Sequence, residues 1–328
     1  MERKRIVSGM RPTGPLHLGH YFGVLKNWLE FQEKYECFFF VADWHALTTE
    51  YSDPKKIKDF VIELMIDWLS VGLDPDKVVF FQQSKVKEHC ELNLILSMLT
   101  PLGWLERNPT YKDVKKELSS KDLNTFGFLG YPVLMSADIL IYKADLVPVG
   151  QDQLPHLELC REIARRFNHF YGNFFPEPQA ILSSVPKLNG IDGRKMSKSY
   201  NNAIFLKEDP DMLKKKIMSM LTDTARKRLK DPGDPKNCNL FPYFELIDPN
   251  GDYSEVIEGC KSASRGCKDC KNLLLEKMIA FLEPIQKIRK ELESDLDRVR
   301  TILNKGTEKA RSIASETIKE VRKLINFD

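Results

Sequence analysis

Apolar residues fall in short dense runs over the first quarter of the chain and at helical spacing over its last third. Arg5-Ile6-Val7-Ser8-Gly9, Cys37-Phe38-Phe39-Phe40-Val41-Ala42 and Val78-Val79-Phe80-Phe81 read as three buried strands. Between them, a turn rich in Gly and Pro leads into a helix carrying Leu18, Phe22, Leu25 and Leu29 on one face. Asp53-Pro54 opens a longer helix with Ile57, Val61, Leu64, Met65 and Trp68, which stops near Gly72. Strands alternating with helices predict an α/β fold with a doubly wound, Rossmann-like parallel sheet and right-handed crossovers. Ligands of such sheets bind beyond the carboxyl ends of the strands, where the turn after Val7 and the segment after Ala42 lie.

The rhythm breaks at about 100–130, where an inserted helical hairpin is expected. From residue 207 onward, Leu273, Phe281, Ile285, Ile288, Leu292, Leu296 and Val299 recur at helical spacing. Gly306-Thr307 reads as punctuation, followed by a last helix over Ala310, Ile313, Ile318, Val321 and Leu324. The expected division is a catalytic domain over 1–206 and a helical domain over 207–328.

Composition narrows this picture only slightly. A chain of 328 residues, 42% hydrophobic and 30% charged, is globular and holds one large domain or two ordinary ones. No apolar run is long enough to cross a membrane. The segment Met1–Val7 enters a strand without the apolar core of a signal peptide, so a cytoplasmic protein is expected. A net charge of +3 neither requires nor excludes nucleic acid. The cluster Lys214, Lys215, Lys216, Arg226, Lys227, Arg228 and Lys230 reads as a solvated helix face unless another feature of the chain handles RNA.

Two short motifs carry chemistry. His17-Leu18-Gly19-His20 follows the first Gly/Pro turn at a helix start. A helix N-terminus offers unpaired N–H groups to a phosphate, the glycine allows close approach, and histidines three apart share one face. Lys195-Met196-Ser197-Lys198-Ser199 sits in a polar loop after Gly190, Gly193 and Arg194. Two lysines on a glycine-flanked loop suit a polyphosphate whose charge must be neutralised as it departs. Either motif alone also reads as surface. Together they resemble the paired signatures of class I aminoacyl-tRNA synthetases.

Within that class the chain resembles the bacterial tryptophanyl branch. The resemblance rests on Ser8–Gly14, on Asp43-Trp44-His45-Ala46-Leu47-Thr48, and above all on Tyr131–Leu140 followed by Val147–Gln153 and His156. It returns at Glu308–Arg311 and Ala314–Glu316. It implies ATP-dependent activation of L-tryptophan to tryptophanyl-adenylate and transfer to tRNA(Trp), with ATP as substrate, Mg2+ on its phosphates, and a homodimer. Asp138 is implied as acceptor for the indole N–H, a group that only donates and needs a fixed partner when buried. Met135 is implied as a wall of that pocket. Tyr131 and Gln153 are implied at the ammonium and carboxylate, and His45 as a further pocket residue. Arg11, Pro12, Thr13, Gly19, Gly150, Gln151 and Asp152 are implied at the nucleotide, together with Lys195, Met196, Ser197, Lys198 and Ser199. His17, His20, Lys195 and Lys198 are the expected catalytic group. Two departures stand out: Arg11 replaces the branch's usual glutamine, and His17 and His20 replace its usual threonine and asparagine.

Cys37, Cys90 and Cys160 lie on apolar stretches and are expected to be buried thiols. Cys238, Cys260, Cys267 and Cys270 instead crowd a subdomain at about 231–271, and C-x2-C between flanking glycines suggests a metal site. One close pair and a six-residue gap suit four thiolates around a 4Fe–4S cluster, with Zn2+ as the alternative. Some bacterial members of the branch are understood to carry such a cluster. Arg265 and Lys268, interleaved with these cysteines, are candidates to meet the tRNA anticodon arm.

Overall fold

The computed structural model describes residues 3–109, 122–182, 188–228 and 230–327. Among these, five strands form one parallel sheet: β1 (Arg5–Met10), β2 (Glu36–Val41), β3 (Val78–Gln82), β4 (Leu146–Val149) and β5 (Gln179–Leu182), in the order β3-β2-β1-β4-β5. β1 and β2 run in register from Arg5 opposite Glu36 to Met10 opposite Val41, and every β2 residue after Glu36 is buried. The expected α/β class and the first three strands therefore stand. The order changes direction between β1 and β4, so the sheet's crevice opens at the carboxyl ends of β1, β2 and β4.

The chain divides into two compact units that interleave in sequence. One comprises Met1–Gly14, Trp28–Ser184 and Asp295–Asp328; the other comprises Pro15–Asn27 and Val185–Ser294. The first holds the sheet. Its core joins Phe38, Phe40 and Phe81 to Val133, Ala137, Leu140 and Tyr142, and to Ala310, Ala314, Ile318 and Val321 near the end of the chain. Of the hairpin expected at about 100–130, helix Leu102–Arg107 is seen and helix Phe126–Leu140 begins near its end. Positions 110–121 lie outside the described residues.

The last helix corrects one expectation. It runs unbroken from Leu296 to Leu324, straight through Gly306-Thr307, and the break falls at Asp295, whose side chain accepts the Arg298 N–H as a cap. Gly306 serves packing: a Cβ there would overlap the main chain of Phe80, carbonyl oxygen first. One residue on, Thr307 Oγ1 accepts the Gln82 N–H at 3.2 Å. β3 is a sheet edge, and the helix lies against its backbone and takes up one of its donors. Helix propensity alone would make Gly306→Ala stabilising by about 1 kcal/mol. The overlap reverses the sign, and a loss of about 1–3 kcal/mol is expected from the urea midpoint.

The second unit is mostly helical. Asp209 caps helix Pro210–Ser219 through the Asp211 and Met212 N–H groups, with Pro210 at the first helical position. The 28-residue helix Cys267–Ser294 buries Leu274, Met278 and Leu282, and Phe281 stacks on Phe22. Lys216 is not a free charge of the expected basic face: it binds Glu208 at 2.6 Å and lies over the Phe205 ring. Of the three scattered cysteines, Cys37 and Cys160 are buried but Cys90 is exposed. On helix Glu88–Leu99 the inward stripe is His89, Leu92 and Leu96, and Cys90 falls off it. No described helix is long and apolar enough to cross a membrane.

Candidate functional site

Both signature motifs lie in the second unit, tied together by main-chain pairing. Leu18 N–H donates to Ile204 O and Leu206 N–H to Leu16 O, each at 2.9 Å, around an antiparallel bridge between His17 and Phe205. The segment that follows Lys195–Ser199 is thereby fastened to the segment that opens the first helix. His17 and His20 face each other with ring centroids 3.8 Å apart, and His20 Nδ1 accepts the His17 N–H at 3.3 Å. His17 Nδ1 is buried with no partner among the described residues. A Cβ on Gly19 would reach the His17 ring and come within 3.7 Å of Met196 Sδ, so glycine here keeps the two motifs close.

Burial is the main force on the ionisation of these rings. It pushes His17 down to about 4, helped by the Lys198 charge, and it pushes His20 well below the ordinary histidine value, with His17 and Lys198 adding to the effect. Both rings are neutral at pH 7. In the unfolded chain they titrate near 6.5, so below that pH the unfolded state binds more protons than the folded one. Stability is then fully present above about pH 6.5 and lost as pH falls toward 4. The expected result is a melting temperature that falls steadily from pH 7 to 4.5, with a shallower slope in His17→Asn.

The lysine-bearing loop is organised by a residue the sequence did not single out. Asn202, 1% exposed, accepts the Ser197 N–H through Oδ1 at 2.8 Å. Its Nδ2 donates to Asp192 Oδ1 at 2.7 Å and to Lys195 O at 3.2 Å. Gly190 must be glycine because a Cβ would run into Asn202. Arg194 pairs with Asp192 and covers the Tyr200 ring. Hydrogen bonds hold the frame, while the Lys195 side chain is exposed.

The first unit gathers the residues at the carboxyl edge of the sheet. Asp138, near the end of helix Phe126–Leu140, is fully buried. Its carboxylate meets His45 Nε2 at 2.7 Å, His89 Nδ1 at 2.5 Å, and Gln83 Nε2 at 2.8 and 2.9 Å. Burial pushes the Asp138 pKa up, but the hydrogen bonds from His45 and His89, with their electrostatic pull, outweigh it and hold the group below its ordinary value. It is therefore a carboxylate at neutral pH. Met135 packs against the core nearby in sequence. Tyr131 Oη lies 2.6 Å from His156 Nε2, and His156 Nδ1 lies 3.2 Å from Asn108 Nδ2. Burial lowers His156 to about 4 and raises Tyr131, so a neutral imidazole faces a neutral phenol.

Gly150 opens the short turn Gln151–Gln153 after β4, and a Cβ there would press on Asp152 Oδ1. Gln153 donates to Asp152 at 3.2 Å. Arg11 directs Nη1 at Thr49 Oγ1, 3.4 Å away. Crowding by neighbours lowers its pKa, opposed by Glu50 and Tyr131. Pro12 is buried and Thr13 half-buried in the same loop.

Gln83, His89 and Tyr142, the surroundings of Asp138, were missed from the sequence. His89 did leave a signal: a polar residue on the buried stripe with Leu92 and Leu96.

The four late cysteines sit at element ends. Cys238 follows the turn Pro235–Asn237, Cys260 lies in the last turn of helix Ser254–Lys261, and Cys267 and Cys270 occupy the first turn of the long helix. All four are free thiols. Burial raises Cys260, and the charges of Cys238, Cys270 and Cys267 all reach it. Arg226 Nη1 approaches Cys267 Sγ at 3.8 Å, and the Arg265 guanidinium bears on Cys270. Lys268 is exposed. Among the described residues, no group of three or more His, Cys, Asp or Glu side chains is closed to metal-binding distance.

Residues 1–283 match the family model for class I tRNA synthetases of the W and Y type. The chain is 54% identical to the tryptophan–tRNA ligase of Thermotoga maritima over 325 residues, covering 98% of this chain and 99% of the relative. It is 45% identical to the tryptophan–tRNA ligase of Aquifex aeolicus, covering 98% and 100%. Among solved structures it resembles the tryptophanyl-tRNA synthetase of Campylobacter jejuni complexed with ADP and tryptophan. The TM-score is 0.90 at 38% identity, covering 98% of this chain and 99% of that one. A tyrosyl-tRNA synthetase from Archaeoglobus fulgidus is also similar, with a TM-score of 0.68 at 22% identity, which speaks to the fold alone.

Proposed function

The chain belongs to the class I tRNA synthetases of the tryptophan and tyrosine group, and from that premise we infer that it works as a tryptophan–tRNA ligase. It joins L-tryptophan to ATP, releases pyrophosphate, and passes the tryptophanyl group from the adenylate to the terminal ribose of tRNA(Trp). Full-length likeness to tryptophan-specific ligases carries tryptophan over tyrosine. Pyrophosphate exchange run with each aromatic amino acid tests the reading. Exchange with tryptophan and not with tyrosine is expected; the reverse would overturn it.

The reaction needs no covalent enzyme intermediate, so the protein's task is positioning and charge stabilisation. The tryptophan carboxylate attacks the α-phosphorus in line as pyrophosphate leaves. Neutral His17 and His20 donate N–H groups to phosphate oxygens, and the unpartnered His17 Nδ1 supports that role. Lys195 and Lys198 neutralise the departing pyrophosphate. Gly19, Met196, Ser197 and Ser199 are proposed at the same phosphates; Arg11, Pro12, Thr13, Gly150, Gln151 and Asp152 are proposed as nucleotide-binding residues. Mg2+, when bound, shares the phosphate charge. In the amino-acid pocket Asp138 accepts the indole N–H, Met135 and His45 flank the ring, and Tyr131 and Gln153 hold the ammonium and carboxylate.

The region 207–328, with the subdomain at about 231–271, is the part proposed to meet the tRNA anticodon arm. Lys268 contributes there from the surface. Arg265 faces Cys270, and this supports a part in the cysteine site. Cys238, Cys260, Cys267 and Cys270 are proposed to hold a 4Fe–4S cluster, with Zn2+ as the alternative. The donor set fits: Cys238, Cys267 and Cys270 all lie within electrostatic reach of Cys260, with arginines at Cys267 and Cys270 and a helix N-terminus under the same two. When bound, the cluster supplies a cross-link between three segments. Stoichiometric iron and sulfide after anaerobic purification support it; zinc in their place selects the alternative.

The apolar side chains Leu94, Met98, Leu102 and Phe126, 57–84% exposed, support a homodimer. Light scattering at twice 38.0 kDa is the expected mass. A cytoplasmic setting, where ATP and tRNA are both present, is part of this proposal.

A further inference from the structure

The carboxylate of Asp138 has no free acceptor position. Two oxygens offer about four lone-pair sites. His89 takes one on Oδ1, His45 takes one on Oδ2, and the Gln83 amide reaches both oxygens at 2.8 and 2.9 Å. An indole N–H that is to bond Asp138 must therefore displace a donor already there.

The three donors differ in how firmly they are held. His89 is fully buried, and its other nitrogen, Nε2, lies 2.8 Å from Tyr142 Oη. Tyr142 is itself buried, and burial holds its phenol well above the ordinary pKa, so it donates its proton to His89 Nε2. His89 Nδ1 then carries the proton that Asp138 accepts. Phe40 and Phe81 rings border His89 at 6.3 and 5.9 Å. Gln83 is equally buried, and its Oε1 accepts the Trp44 N–H at 3.1 Å. Both donors are thus pinned at their far ends. The His45 side chain is 12% exposed, beside 0% for His89 and 1% for Asp138. Its second ring nitrogen has no partner among the described residues, and its ring stands edge-on to Tyr131, 6.4 Å away.

We propose that His45 is an exchangeable place-holder on Asp138, released when the tryptophan N–H takes its lone pair, while His89, pinned by Tyr142, is the positioning residue that keeps the carboxylate aimed. The empty pocket then never leaves a buried carboxylate short of donors, and filling it replaces one hydrogen bond by another. Selectivity for an N–H-bearing ring follows, because a side chain that displaces His45 and donates nothing leaves Asp138 with an unfilled acceptor. On that ground a sulfur isostere of tryptophan should bind about 5- to 100-fold more weakly.

The proposal rests on tryptophan being the ligand, and the test separates the two. Protons held between imidazole nitrogen and carboxylate are strongly deshielded and protected from solvent exchange. The wild-type protein, with nitrogen-labelled histidine, should show two such signals, assigned by their loss in His45→Gln and His89→Gln. Addition of tryptophan is expected to abolish the His45 signal and leave the His89 signal in place. Retention of both signals, or loss of both, overturns the proposal. A protein that shows no tryptophan-dependent pyrophosphate exchange in the same preparation overturns the functional reading instead.

Discussion

Replacing Lys195 by alanine will slow adenylate formation by about 10²- to 10³-fold, the range for removing one transition-state charge partner. The Kd for tryptophan will stay within about twofold, because an interaction made only as charge develops does not contribute to ground-state binding. The structure explains why the loss should be confined to chemistry. The Lys195 side chain is exposed and ties down no other side chain among the described residues. Its backbone stays fixed by the bridge to Asn189 and by Asn202 Nδ2 on its carbonyl. Rapid-quench measurement of adenylate, run beside equilibrium dialysis of tryptophan, reads the two separately. Equal losses in both would remove Lys195 from the pyrophosphate.

Asp138→Ala is expected to damage both stability and recognition. Its removal leaves the N–H groups of His89 and Gln83 buried without an acceptor, and stranding the partners of a buried charge costs about 3–5 kcal/mol. Urea unfolding reads that loss. Tryptophan-dependent exchange should fall by at least about tenfold beyond what the lost folded fraction explains, since on the proposed role the indole N–H is also left unpaired. Asp138→Asn keeps the shape but turns one acceptor into a donor that faces another donor. It should therefore lie between wild type and alanine in stability. A stability loss in Asp138→Asn equal to that in Asp138→Ala would mean that acceptor count, not shape, dominates at this position.

What the sequence revealed follows from what local periodicity can encode. β2 after Glu36 and β3 before Gln82 are apolar and buried, and β1 buries Ile6 and Val7, so these three read directly as strands. β4 carries Pro148 in a four-residue run and pairs with β1 through Ile6 and Leu146 alone, so its pattern is weak. β5 is a half-exposed edge. Gly306 was misread because a glycine that ends a helix and one that lets a helix touch a backbone look alike in one dimension. The interleaving of the two compact units is a matter of long-range closure, and no local pattern announces it.

At the candidate site, the residues proposed to touch ligands carried motif signals. Gln83, Tyr142 and Asn202, which hold those residues in place, carried none, because a buried hydrogen-bond partner leaves no periodic trace. His89 was the exception, a polar residue on an apolar stripe.

The helix Leu296–Leu324 closes the outer edge of a sheet whose first strand is Arg5–Met10. During synthesis, β1, β2 and β3 emerge more than 200 residues before the segment that covers β3. Until then the Gln82 N–H and the main chain of Phe80 face solvent or whatever strand comes near. A ribosome stalled late in the message would therefore release a chain with nearly all its catalytic residues made and an open strand edge. Closure of that edge waits for the helix Leu296–Leu324 to be made.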